Sequence, residues 1–337
     1  MKMLMFDFRD TEKEFFEHNE LVDFDISFID EPLNEDYKLN EQQINETDII
    51  SVFRSSNLTD KVLEKFKNLR IIATRSYGYG HIDLDYCIAH NIAVLNVEQY
   101  GEEAVAQYAI ALIIVLLRNM LPAIMDMKDH KINYKNYEGR TLNNLTLGII
   151  GCGEIGSAVA RIANFLGMNV IIHSYMQNPE LEGFCNFVSL DELLENSDII
   201  SLHLVYTGDN YHLIGVKEFE KMKNGVYFVN TARGELLDIK ALYDNLVNGK
   251  VKAAALDVLE CEFLSTHPGA LTNVIKDSES HCVETALVTQ KLFQMDNVII
   301  TPHIAYNTHE TVNYLLDNTF NNIRDYLKGI NTNRVCW

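Results

Sequence analysis

Proline is scarce, five in 337 residues, tryptophan occurs once, and the six cysteines include no CxxC pair. With no low-complexity tract or repeat, this composition excludes a collagen-like or disordered proline-rich chain. The cysteines stand at 87, 152, 185, 261, 282 and 336. Such irregular spacing argues against a zinc site or a disulfide framework, so scattered thiols in a reducing compartment are expected, with no metal. Long apolar runs are missing as well. The longest, Ala109 to Leu117, is nine residues closed by Arg118, far short of the ~20 that a membrane helix needs. The opening MKMLMFDFRD has no charged lead before a long apolar run, so no secretory signal is expected and the reading is cytoplasmic. Basic charge is deficient: 28 Lys and Arg against 48 Asp and Glu leave a net −20. That surface repels phosphate backbones and anionic lipid, which speaks against nucleic acid and membrane partners. An anionic small molecule needs only a local positive pocket.

What is present is ordinary for a globular protein: 47% apolar and 23% charged residues. At roughly 150 residues per domain the length suggests two domains. Short β-rich runs alternate with helical stretches. Strands are expected at Met3–Phe8, Asp25–Ile29, Ile49–Phe53, Arg70–Thr74 and Ile92–Asn96. A second series follows at Thr146–Ile150, Asn169–His173, Asp198–Leu202, Gly225–Asn230, Val251–Leu256 and Val298–Thr301. Helices are expected at Thr59–Lys67, Asp83–His90, Glu102 to about Arg118, and His309–Lys328. This alternation reads as parallel α/β sheets. The helix from Glu102 is apolar on nearly every face, as for burial at a domain junction or subunit contact. Phe263–Met295 interrupts the rhythm, carries His267-Pro268-Gly269, and reads as a long surface excursion with a helix near Glu284–Phe293.

One motif carries a cofactor. Gly151-Cys152-Gly153-Glu154-Ile155-Gly156 lies between an expected strand and an amphipathic helix. Gly151 allows the tight turn, Gly153 lets backbone approach a pyrophosphate, and Gly156 lets helix and strand pack closely. Glu154 and Ile155 open a helix whose N-terminus meets the phosphate charge. The next strand should end in an acid for the adenosine ribose, yet it runs His173-Ser174-Tyr175-Met176-Gln177. Without that acid a 2′-phosphate is not repelled, and without an arginine it is not gripped. NAD with weakened discrimination is expected and NADP is possible, with His173 as the one local positive candidate.

Three later segments complete a pattern: Asn230-Thr231-Ala232-Arg233-Gly234, Ala255-Leu256-Asp257-Val258-Leu259-Glu260-Cys261-Glu262, and Thr301-Pro302-His303-Ile304-Ala305-Tyr306. With the glycine motif and the upstream ATRSYGYGHID they resemble the D-isomer-specific 2-hydroxyacid dehydrogenases over about residues 45–330. The ending TPHIAYNT looks most like the D-lactate dehydrogenase branch of that family. The resemblance implies an α/β fold of two parallel-sheet lobes, Rossmann-like and flavodoxin-like. A nucleotide domain, 101–301, would be inserted into a substrate domain made of 1–100 and 302–337. It also implies a cleft active site, a 2-oxo acid substrate and a homodimer.

Reducing a 2-oxo acid needs a carboxylate anchor, a hydride donor and an acid for the carbonyl oxygen. Arg233 follows a strand end, and a guanidinium holds a carboxylate bidentately. His303 follows another strand end and a proline, and histidine exchanges protons near neutral pH. By resemblance Glu262, rather than Glu260, would accept the other ring N–H, fix the ring and favour imidazolium. Leu204, Val205, Asn210, Thr231, Ala232 and Asp257 match family cofactor contacts, although Val205 stands where proline is common. The backbone at Tyr77 and Gly78 would receive the substrate carboxylate, with Phe53, Tyr100 and Tyr306 walling the pocket.

Two alternatives stay open. Arg54 follows a first-lobe strand in VFRSSNLT, a context like that in relatives acting on dicarboxylic acids. Turned inward it would meet a second anionic group, as in oxaloacetate or 2-oxoglutarate; turned outward it would be a solvated charge, which suits a small substrate better. Bulkier acids such as 2-oxoisocaproate belong to the same alternative. The other alternative is a nucleotide-sensing, corepressor-like protein, since such proteins retain the same catalytic residues.

Overall fold

The computed structural model describes residues 1–336 apart from Glu20, Gln99, Ile132, Asn133 and 268–279. The chain divides into two compact units, Met1–Gly101 with Asn307–Trp337, and Glu102–Tyr306.

In the first unit five strands run parallel: β1 Lys2–Met5, β2 Asp25–Phe28, β3 Ile49–Val52, β4 Ile71–Thr74 and β5 Ala93–Leu95, in the order β2-β1-β3-β4-β5. Every residue of β3 and β4 is buried, as expected where helices cover both faces of a parallel sheet. The edge strand β2 is largely exposed. The last helix, His309–Leu327, lays Val312, Leu316, Phe320 and Ile323 against Met3, Met5, Ile49 and Ile71.

The second unit has seven parallel strands: β6 Thr146–Ile150, β7 Asn169–His173, β8 Cys185–Phe187, β9 Ile199–Leu202, β10 Val226–Asn230, β11 Val251–Leu256 and β12 Val298–Ile300. Their order is β12-β11-β10-β9-β6-β7-β8. From β6 the chain winds outward to β7 and β8, then returns to the other side of β6 at β9. The carboxyl ends of β6 and β9 therefore form a topological switch point, where open α/β sheets bind ligands. Helix α1, Glu102–Leu117, presents Ala106, Ala109, Ile113 and Leu117 to the core. There they join Val159, Ala160 and Ala163 of helix α2, Glu154–Phe165, and Leu147, Val229 and Ala255 of the sheet. The alanines on both helices permit that close approach. Among the described residues no single helix is long and apolar enough to cross a membrane.

The excursion after β11 contains helix α3, Glu262–Thr266, and helix α4, Ser280–Leu292; Pro268 and Gly269 lie outside the described residues. One expectation is corrected here. Not all six cysteines are thiols: Cys261 and Cys282 form a disulfide, with their Cα atoms 5.6 Å apart. The start of α3 packs against α4 and brings together two residues that lie 21 apart in sequence, a proximity that linear spacing does not encode.

Candidate active site

The chain turns from β6 into α2 through the glycine motif. Gly151 has φ +99°, and a Cβ there would lie 2.5 Å from the His203 carbonyl oxygen. A Cβ on Gly156 would lie 2.1 Å from the Gly151 carbonyl oxygen, whereas Gly153 faces open space. Two glycines are thus required by close backbone approach, and the third leaves room for a ligand. Gly153 caps α2 without a side-chain hydrogen bond, so the first-turn N–H groups of Glu154 and Ile155 meet no side-chain cap. At neighbouring strand ends, Oγ1 of the buried Thr231 and Nδ1 of His203 have no hydrogen-bond partner among the described residues. A cradle with unfilled donors at a switch point fits a dinucleotide. Ala232 is buried, Leu204 half-buried and Val205 exposed. Asn210 ties its own loop, donating to Val205 O at 2.9 Å and accepting from Thr207 N at 2.8 Å. This holds the loop in shape although proline is missing at 205.

Ser174 directly follows β7, and its Oγ accepts from Met176 N at 3.3 Å. His173 uses Nδ1 on Val188 O at 3.2 Å, while Tyr175 and Met176 are exposed. Ser174 can hydrogen-bond a ribose but cannot repel a 2′-phosphate. NADH should therefore be preferred only modestly over NADPH. Ser174→Asp is expected to raise KM for NADPH about tenfold, the scale of one poorly screened charge repulsion, with KM for NADH nearly unchanged. Parallel steady-state assays check this; a wild type strongly preferring NADPH would contradict it.

Because the seven strands are parallel, the loops that follow them lie at one edge of this sheet. Asp257, just past β11, is buried, and its carboxylate accepts from Thr301 Oγ1 at 2.6 Å, Ile304 N at 2.9 Å and Ala305 N at 2.8 Å. It thereby anchors the turn after β12, in which His303 takes the left-handed φ of +55°. A conformation costing of order 1 kcal/mol for a non-glycine residue persists where its surroundings over-determine it. The result is a His303 ring, 19% exposed, whose Nδ1 meets Glu262 Oε2 at 3.0 Å and Oε1 at 3.2 Å. The Asp257 carboxylate thus holds the histidine turn.

Arg233 is exposed just beyond β10. Its carbonyl accepts from Asn230 Nδ2 at 2.8 Å, and its Nη1 donates to Ala232 O at 2.6 Å. A Cβ on the following Gly234 would fall 2.1 Å from Glu260 N. That contact seats the arginine turn directly on the segment leading to Glu262. Tyr306 is buried at the end of this unit.

Sequence reasoning considered Glu260 only as a rival to Glu262. The structure gives it separate partners. Its buried carboxylate accepts from Tyr211 Oη at 2.8 Å, pairs with His212 Nε2 at 3.0 Å and with His281 Nε2 at 2.9 Å. Burial raises its carboxyl, but hydrogen bonds from His212, Tyr211 and His281 outweigh that, leaving it below the ordinary value. No spacing rule joins residues 211, 212, 260 and 281. Among the described residues no group of three or more His, Cys, Asp or Glu could hold a metal ion.

Burial also lowers the His203 imidazole to about 4. The unfolded chain, with histidine near 6.5, takes up the proton first as pH falls. Stability is therefore full above pH ~6.5 and declines towards pH 4, by roughly 2–3 kcal/mol from this group. Urea unfolding at pH 7.5 and 4.5 should show His203→Asn to be less acid-sensitive than wild type; equal acid losses would contradict the assignment.

In the first unit, Tyr77 N donates to Tyr100 Oη at 3.4 Å, Tyr77 O accepts from Asn96 Nδ2 at 3.0 Å, and Gly78 O accepts from Ser76 Oγ at 2.6 Å. Phe53 is buried, its N–H donating to Asp7 Oδ2 at 2.8 Å. The Arg54 guanidinium lies 5.1 Å from the Phe53 ring centroid and the residue is half-buried, so it is not the solvated charge that a small substrate suggests. Its charge, after burial, helps hold His81 down to about 4.

Comparison with known proteins places these observations. Residues 110–305 match the model of the D-isomer specific 2-hydroxyacid dehydrogenase, NAD binding domain. The chain is 34% identical over 294 residues to an aromatic 2-oxoacid reductase of Clostridium sporogenes, covering 86% of each. It is 32% identical over 333 residues to the D-lactate dehydrogenase of Escherichia coli, covering 98% of each. The structure of Aquifex aeolicus D-lactate dehydrogenase complexed with NAD and lactic acid superposes with a TM-score of 0.81 at 34% identity, covering 99% of each chain.

Proposed function

The chain belongs to the D-isomer-specific 2-hydroxyacid dehydrogenase family of NAD-dependent oxidoreductases, and from that premise we propose that it reduces pyruvate to D-lactate. The observation that carries the proposal is the Glu262–His303 pair in a TPHIAY turn. In this reading NADH, held by the glycine cradle, supplies the hydride. Arg233 grips the substrate carboxylate and polarises the ketone, while the backbone at Tyr77 and Gly78 receives the carboxylate. Glu262 holds His303 through Nδ1, so Nε2 delivers the proton to the carbonyl oxygen. Oxidation runs the same path with His303 as base. The unit Glu102–Tyr306 serves the cofactor, and we read Phe53, Tyr100 and Tyr306 as walls of the substrate pocket.

Arg54 on Phe53 supports a second reading, a dicarboxylic 2-oxo acid such as oxaloacetate. A panel of pyruvate, oxaloacetate, 2-oxoglutarate, 2-oxoisocaproate and phenylpyruvate, each with NADH and NADPH, decides between them. The highest kcat/KM for pyruvate is expected. A tenfold advantage for oxaloacetate that disappears in Arg54→Leu would replace the first reading with the second, and absent turnover with every acid would remove both. We read the protein as a homodimer, supported by the exposed Met120, Ile124, Met125 and Met127 on the helix Met120–Lys128; light scattering tests this.

A further inference from the structure

Two cross-links tie the turn before α3 to the start of α4, side by side. One is the Cys261–Cys282 disulfide. The other is the contact of Glu260 with His281, at 2.9 Å. Cys261 itself has φ +49°, a left-handed conformation that a side chain leaves readily once nothing enforces it. The next residue is Glu262, which opens α3 and pairs with His303.

The remaining cysteines differ in kind. Cys87, Cys152, Cys185 and Cys336 are buried thiols, and burial pushes Cys87 and Cys185 up to about 12, where thiolate chemistry is suppressed. Cys261 and Cys282 are only partly buried. A reductant in solution thus meets one reactive pair of sulfurs.

We propose that Cys261–Cys282 is a thiol–disulfide exchange site for a dithiol reductant, and that its reduction loosens the seat of Glu262 against His303. One thiolate of the dithiol attacks a sulfur of the bridge, forming a mixed disulfide and releasing the other cysteine, which takes up a proton. The second thiol of the reductant then closes on the mixed disulfide and frees the remaining cysteine. The bridge gains two electrons and two protons, and the dithiol becomes its own disulfide. The effect on turnover rests on the proposed role of His303; the exchange itself does not.

The test uses the full chain, equilibrated with oxidised glutathione or with dithiothreitol, and Cys282→Ser as a permanently reduced form. Alkylation and mass spectrometry should find 261 and 282 blocked only after reduction. Amide exchange across 261–266 should be at least tenfold faster in reduced protein and in Cys282→Ser. kcat should fall about tenfold, the scale of a misplaced catalytic partner, with KM for NADH unchanged. Should Cys282→Ser fail to fold, reduced wild type supplies the same comparison. Both cysteines alkylating in oxidised protein, or coincident amide exchange in the two redox forms, would overturn the proposal. Equal kcat in both forms, with exchange altered, would overturn its link to Glu262. If neither redox form turns over any 2-oxo acid, the pyruvate reading fails while alkylation and amide exchange still decide this one.

Discussion

His303→Ala is expected to lower kcat for pyruvate reduction by about 10²–10⁴, with a small change in KM. The range is that of a lost general acid and corresponds to about 3–5 kcal/mol of transition-state stabilisation. The geometry gives the reason. The ring is 19% exposed and its Nδ1 is engaged by Glu262 at 3.0 Å, so one ring nitrogen is held. Alanine removes the donor but leaves Asp257 bound to Thr301, Ile304 and Ala305, so the turn should persist. A helical left-handed φ of +55° is no better for alanine than for histidine, and a modest loss of stability is expected alongside. Circular dichroism and cofactor binding by fluorescence would separate folding from chemistry. Near-wild-type kcat in a folded variant would remove His303 from the reaction.

The described strands other than β8 were legible, mostly because buried parallel strands read as short apolar runs. Thr146–Ile150, Asn169–His173 and Val251–Leu256 fall where the pattern puts them. Cys185–Phe187 was not legible: three residues with one buried side chain give no periodicity. The helix Met120–Lys128 is hidden for a related reason, since none of its residues is buried within the described structure. The other expected strands overrun the observed ones by a residue or more, as at Met3–Phe8 against Lys2–Met5, where apolar residues continue past the last ladder hydrogen bond.

Local geometry was legible where a motif compresses it into a few residues. The glycines and the TPH turn are such cases, and Glu262 meets His303 across 41 residues only because the fold brings β11 and β12 together. Direction and partnership were not legible. Arg54 could be recognised as a charge beside a strand, but its stacking on Phe53 follows from the buried loop around Asp7 and Ser56. That the Asp257 carboxylate closes the histidine turn is likewise a contact that linear spacing does not show. The Glu260 cluster and the disulfide join residues whose separation in sequence carries no signal.

Arg233 offers the sharpest separation of chemistry from stability. The side chain is exposed and follows a turn fixed by backbone contacts: Asn230 holds the Arg233 carbonyl at 2.8 Å, and Gly234 lies against Leu259 and Glu260. Neither depends on the guanidinium, so Arg233→Ala should alter stability by no more than about 0.5 kcal/mol. Its effect on pyruvate should be large. Two charge-assisted hydrogen bonds to a carboxylate, at about 1.5–3 kcal/mol each, predict a loss of roughly 10²–10⁴ in kcat/KM. The loss should appear in both constants, KM rising with the missing anchor and kcat falling as the ketone loses its polarising charge. Lysine restores a positive charge but not the planar fork, so Arg233→Lys should recover about tenfold and no more. Full recovery by lysine would show that a point charge suffices and would exclude the bidentate role. A fall confined to KM would leave substrate binding to Arg233 and assign polarisation of the ketone to His303 alone.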